Sequence, residues 1–113
     1  MAAASRGAAE AGGHTIGVTC ETLARTGRRK NNWVREEIRC ATVRDRLCKL
    51  VKIAGSFIAL DGGIGTLTEI AFCWNQLQVG ELSPRPVVLL GTVWLASFTA
   101  FFRAAGVHLI EEE

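Results

Sequence analysis

The residues best suited to chemistry in this 113-residue chain lie in one stretch, Ser56 to Glu69, which reads SFIALDGGIGTLTE. Gly62, Gly63 and Gly65 let the backbone approach an anion closely and adopt positive φ, and the Thr66 hydroxyl can donate a hydrogen bond to a phosphate oxygen. Before them, SFIAL is a continuous apolar run, as expected for a central strand covered on both faces. From Thr66 onward, Leu67, Ile70, Ala71, Trp74 and Leu77 recur at helical spacing. A strand passing through such a turn into a helix presents free N–H groups and partial positive charge where open parallel sheets bind ligands. The spacing matches neither the Walker loop nor G-x-G-x-x-G. The same residues can also serve structure alone, with Thr66 as N-cap and Glu69 as its capping-box partner in T-x-x-E. On the residues themselves the two uses stand level.

The elements that must position this turn alternate along the chain. Ala2 to Ala11 is alanine-rich and closes on Gly12-Gly13, which predicts a helix with a left-handed end. His14 to Thr19 reads as a strand, and Cys20 to Asn32, rich in basic residues and without an apolar period, reads as a loop. Thr42 begins a helix in which Thr42 and Asp45 have capping-box spacing and Val43, Leu47, Leu50, Val51 and Ala54 form the apolar stripe. Gly55 ends it. Gly80 to Pro84 breaks the helix that starts at Thr66, Val87 to Leu90 is a further strand, and Trp94 to Ala105 is the last helix. A short fourth strand is expected at Val107 to Ile110. Alternating helix and strand predict right-handed βαβ crossovers and a Rossmann-like α/β architecture, a parallel sheet with helices on both faces, in a single domain over 1–113.

Bulk properties narrow the function. Hydrophobic residues make up 49% of the chain, enough for a real core. Thirteen Lys and Arg against eleven Asp and Glu leave +2, too little for bulk attraction to nucleic acid or an anionic membrane. Cys20, Cys40, Cys48 and Cys73 show neither zinc-site spacing nor a disulfide framework, so reduced thiols in a cytoplasmic protein are expected and no metal site is assigned. The N-terminus lacks a secretory h-region. The uncharged run Pro86 to Phe102 approaches membrane-spanning length, but Gly91-Thr92 divides it into a strand and a helical part, against a span. His14 and His108 stand alone and are assigned no catalytic role, and Trp33, Trp74 and Trp94 are expected in the core.

D-G-G-I-G-T-L-T-E resembles the P-G-G-x-G-T-x-x-E signature of the Lonely Guy family, also labelled "possible lysine decarboxylase". The likeness extends to RDRLCKLVKIAGSFIAL and AAASRGAAEAGGHTIGV, which are similar to the family's helices and strands upstream of the motif. It implies a Rossmann-like homodimer or larger homo-oligomer that binds an AMP-like nucleoside 5′-monophosphate without a cofactor. In characterised members it also implies hydrolysis of the N-glycosidic bond to base and ribose 5-phosphate. By position Arg46 and Glu69 fall on the catalytic pair, and Gly62, Gly63, Gly65 and Thr66 on the phosphate loop. The glycine turn would then hold the 5′-phosphate, Glu69 would stabilise oxocarbenium character or orient water, and Arg46 would clamp phosphate or substrate. With Glu69 in the first helical turn, the dipole favours its ionised form.

Several residues depart from the family. Asp61 stands in place of the motif's Pro and sets a negative charge beside the proposed phosphate. Thr68 and Leu47 replace acidic and basic neighbours. The resemblance also implies a strand, a helix and a second glycine-rich loop before Met1, and further chain after Glu113. WVREEIR, Trp33 to Arg39, is similar to a less studied branch of the superfamily in which activity is inferred. Lys30, Lys49 and Lys52 lie in a loop or on a basic helix with no arrangement for pyridoxal phosphate, which argues against the decarboxylase label. Two other functions are therefore kept: a carrier that holds a nucleotide or molybdenum-cofactor-type ligand unchanged, and an assembly role using the apolar helix Trp94 to Ala105.

Overall fold

The structure is a computed structural model, and it describes residues 1–27 and 30–106. They form five helices and four strands in a succession of short elements. The chain divides into two compact units, Met1–Ile53 and Ala54–Glu113. The architecture is α/β with parallel strands, as the alternation predicts.

In the first unit, α1 (Ala2–Glu10) ends where the glycine pair predicts: Gly12 has φ +80, and the N–H groups of Gly12 and Gly13 donate to Ala9 and Ala8 carbonyls. The strand β1 (Ile16–Cys20) follows, then α2 (Glu21–Arg25), a short helix inside the stretch read as loop. No apolar period marks α2. The largest difference comes next, because Glu36–Cys40 is a strand, β2, paired in parallel with β1 from Ile16↔Glu36 to Cys20↔Cys40. Its sequence, EEIRC, alternates weakly, and only Ile38 and Cys40 are half-buried. What holds it is the ladder to β1 rather than its own apolar content.

The entry to this pair is held by Thr15, 8% exposed. Its hydroxyl donates to the Trp33 carbonyl at 2.6 Å and accepts from the Arg35 N–H at 3.0 Å. Thr15→Val keeps the shape and removes both bonds, leaving the part-buried Trp33 carbonyl to find another partner, while the Arg35 N–H keeps its bond to the Thr15 carbonyl at 3.1 Å. It is expected to cost about 1–3 kcal/mol in urea unfolding, with an unchanged midpoint as the contrary result. Trp33 itself does not reach the core. It is 41% exposed, with the Arg6 guanidinium 5.7 Å from the ring centroid. His14 is also on the surface, its Nε2 2.8 Å from Glu36 Oε2.

The helix α3 (Val43–Ile53) packs against β1 and β2. Thr42 caps it: the Asp45 N–H donates to Thr42 Oγ1 at 3.1 Å, while that hydroxyl donates to Asp45 Oδ2 at 2.6 Å. The capping spacing is thus borne out, with the carboxylate bound to the threonine hydroxyl. Val18, Cys20 and Val51 are the buried apolar residues of this unit.

The second unit is a βαβ crossover followed by a helix. In it β3 (Phe57–Ala59) pairs in parallel with β4 (Val87–Leu89), joined by α4 (Ile64–Gln78), and α5 (Thr92–Ala105) follows. Arg85 reaches the Ala54 carbonyl with one guanidinium nitrogen and Ser83 with the others. Trp74 of α4 meets Phe98 and Phe102 of α5 edge-on, with centroids 5.9 and 5.0 Å apart. Trp94, 3% exposed, donates its indole N–H to the Leu60 carbonyl at 3.0 Å and so ties α5 to the end of β3. Trp74 and Trp94 are packing residues, as expected. The uncharged run read against a membrane span is indeed β4 and α5, and no described helix is long and apolar enough to cross a bilayer. The strand expected at Val107 to Ile110 lies outside the described residues.

Cys20, Cys40, Cys48 and Cys73 are all free thiols, the first and last buried. Burial pushes the Cys73 thiol above its ordinary value of 9.0, with the Arg85 charge pulling it partly back. A raised pKa in the folded state means the native protein holds this proton more tightly than the unfolded chain does. The resulting stability is fully present below pH 9.0 and is lost as pH rises toward the folded value. Denaturation curves above that pH are expected to fall less steeply with pH for Cys73→Ala than for the parent. Equal slopes would refute this.

Candidate functional site

The glycine-rich turn sits at the carboxyl end of β3, between that strand and α4. Two details differ from the expectation. The helix begins at Ile64, not Thr66, and its N-cap is Gly63, in extended conformation with φ −98 and ψ −153. None of Gly62, Gly63 and Gly65 has positive φ. Their requirement is space instead, and it is strict at Gly62. There an added Cβ would run into the Thr66 hydroxyl and stand 2.9 Å from Thr66 Cβ. Thr66 folds back over Gly62, and its own backbone is helical.

This placement removes the capping-box reading of the motif. A capping box needs Thr66 ahead of the helix, whereas Thr66 is its third residue, and the Gly63 N-cap supplies no side-chain bond. Among the described residues no side chain caps the first N–H groups of α4. Thr68, in the position of a family acid, donates its hydroxyl to the Ile64 carbonyl at 2.8 Å and serves the helix itself.

Asp61 is turned toward Gly91, the N-cap of α5: a Cβ added there would coincide with the Asp61 carboxylate. Gly91 has φ +120 and ψ 153, a conformation open essentially to glycine alone. The carboxylate thus stands against the start of another helix, whose dipole favours negative charge. The sequence shows the charge of Asp61 but not its destination, because Gly91 lies far along the chain, beyond the whole of α4 and β4.

Glu69 is half-buried and, because α4 starts earlier than expected, falls in its second turn. The dipole argument for its ionisation, strongest in the first turn, weakens accordingly. Arg46 lies in the first turn of α3 and donates its Nε–H to the Val18 carbonyl of β1 at 2.9 Å. Neither Arg46 nor Glu69 is without a partner. Gly62, Gly63, Gly65, Thr66 and Glu69 are brought together in the second compact unit, and Arg46 belongs to the first.

The first unit carries a cleft that the sequence did not announce, with a volume of about 550 Å³. Thr19 of β1, Glu21 and Arg25 of α2, Lys30, and Glu37 and Arg39 of β2 line it. Thr19 donates to Glu37 Oε1 at 2.6 Å, and Lys30 Nζ is 4.0 Å from Glu37 Oε2. Lys30 is on the cleft lining, and Lys49 and Lys52 lie along α3. Among the described residues no three His, Cys, Asp or Glu side chains gather as metal ligands would.

Comparison with known proteins gives these features a context. The family model described as possible lysine decarboxylase matches residues 1–112. A cytokinin riboside 5′-monophosphate phosphoribohydrolase of Arabidopsis thaliana, LOG5, is 35% identical over 95 residues, 80% of this chain and 39% of that protein. The chain therefore spans about two fifths of the length of the curated relative it matches.

Proposed function

Because this chain belongs to the possible lysine decarboxylase family, the Lonely Guy family that its glycine motif resembles, we propose that it binds a nucleoside 5′-monophosphate and hydrolyses its N-glycosidic bond. The observation that carries the reading is the start of α4: glycine at the N-cap, no side-chain cap, and Thr66 folded over Gly62. A phosphate monoester placed there accepts the free N–H groups and the Thr66 hydroxyl, with the helix dipole favouring its charge.

In the reaction water adds to the ribose anomeric carbon as the bond to the base nitrogen breaks, giving base and ribose 5-phosphate. Positive charge develops on the sugar in the transition state. The Glu69 carboxylate, in the second turn of α4 and so one turn past the phosphate loop, is the group proposed to stabilise that charge or orient the water. Arg46 enters the proposal through the family resemblance, as a cation for the phosphate or substrate, and its Nε–H bond to Val18 fixes the base of its guanidinium. The name of the Arabidopsis relative, a phosphoribohydrolase of a nucleoside 5′-monophosphate, supports the same chemistry.

The carrier alternative drew on the charge of Asp61 and on the family's first glycine-rich loop, and the first of these arguments weakens with the carboxylate turned to Gly91. A cytosolic homo-oligomer belongs to the proposal, supported by the apolar surface that Leu95 and Phe101 expose on α5, at 73% and 57%. Incubation with AMP tests the whole reading. Free adenine and ribose 5-phosphate are expected, and AMP-induced thermal stabilisation without product would turn the assignment to the carrier.

A further inference from the structure

The cleft of the first unit is not used by the proposed reaction, and none of its lining residues belongs to the glycine turn or to α4. Its charge is uneven. Arg25, Lys30 and Arg39 face it against Glu21 and Glu37, a surplus of one positive charge. Glu37 is already engaged, by the Thr19 hydroxyl at 2.6 Å and by Lys30 at 4.0 Å. Among the described residues, Arg25 and Arg39 have neither an ion pair nor a side-chain hydrogen bond.

The β-sheet explains how they meet. Thr19 and Arg39 are register partners, and Glu37 lies two residues before Arg39 on the same face, opposite the face of Val18 and Cys20. The short α2 then brings Arg25 over the carboxyl ends of both strands, where parallel sheets place ligands. The volume, about 550 Å³, is in the range that holds a small metabolite.

We propose that this cleft is a second anion site, in which Arg25 and Arg39 bind a phosphate group, as inorganic phosphate or as a small phosphate monoester. Each guanidinium offers a planar fork of donors matched to two phosphate oxygens, and the ligand neutralises the charge surplus. This site stands independently of the reaction proposed for Glu69.

Isothermal titration of the whole chain with inorganic phosphate, at constant ionic strength set by sodium chloride, tests it. The double variant Arg25→Gln/Arg39→Gln is expected to lose about tenfold or more in phosphate affinity, since one lost charge-assisted contact alone approaches that factor. Arg39→Lys keeps the charge without the fork and is expected to fall between the two. The comparison is made in the Thr66→Val background, which weakens the phosphate contact proposed at the glycine turn, so that the binding that remains reports the cleft. Titration with AMP separates the sources: AMP binding that falls in Arg25→Gln/Arg39→Gln means the cleft accepts the ester, and AMP binding unchanged in that variant while phosphate binding falls means it takes free phosphate. The proposal is overturned if the parent binds no phosphate at millimolar concentration, if the double variant binds as well as the parent, or if Thr66→Val alone abolishes binding.

Discussion

Glu69→Gln is expected to release adenine from AMP about 100- to 10,000-fold more slowly than the parent chain, the range a positioned carboxylate supplies. The substitution is nearly isosteric and removes only the charge and the acceptor pair. Because the phosphate is proposed to rest on the glycine turn and not on Glu69, AMP should still raise the melting temperature of the variant. Loss of turnover with retained stabilisation places Glu69 at the reacting sugar; equal adenine release from both proteins would remove it from the mechanism. Loss of both turnover and AMP stabilisation would instead mean that Glu69 supports the site's structure, which its half-buried position in α4 makes a meaningful contrast.

The second large effect is on stability. Gly91→Ala is expected to destabilise the protein by about 2–4 kcal/mol, combining backbone strain of about 1–3 kcal/mol with displacement of a carboxylate. Both causes are local and separable. At φ +120 and ψ 153 an alanine is strained whatever surrounds it, and its Cβ would occupy the position of the Asp61 carboxylate. For a domain of this size the loss corresponds to roughly 10–25 °C in melting temperature. Asp61→Ala in the Gly91→Ala background relieves the collision and not the strain, so it should recover part of the loss. A melting temperature for Gly91→Ala equal to that of the parent would show that the turn between β4 and α5 adapts freely.

Much of the fold can be read from neighbouring residues. The end of α1 follows from Gly12, the start of α3 from Thr42 and Asp45, and the division of the uncharged run from Gly91-Thr92. These are effects of residues within one helical turn of each other, where conformational preference and short hydrogen bonds dominate. The glycine turn is legible for the same reason, although its mechanics are not. Gly62 is needed for room against Thr66, and the helix starts at Ile64, earlier than its apolar period suggests, because Ile64 is 79% exposed and adds nothing to the buried stripe.

The features missed are those made by distant partners. No window of sequence shows that EEIRC is a strand, because the ladder to Ile16–Cys20 holds it and its own side chains are mostly charged and exposed. Trp33 reads as core from its composition, yet it packs against the Arg6 guanidinium on the surface.

By itself, then, the amino-acid sequence determined the alternation of helix and strand, the helix ends, and a glycine turn at the end of β3. Only the tertiary structure decided that Asp61 faces Gly91, that the start of α4 carries no side-chain cap, and that Arg25 and Arg39 share a cleft. The physical reason is range: propensity and capping act over a few residues, whereas register and charge placement depend on strands and helices that meet only once the chain has folded.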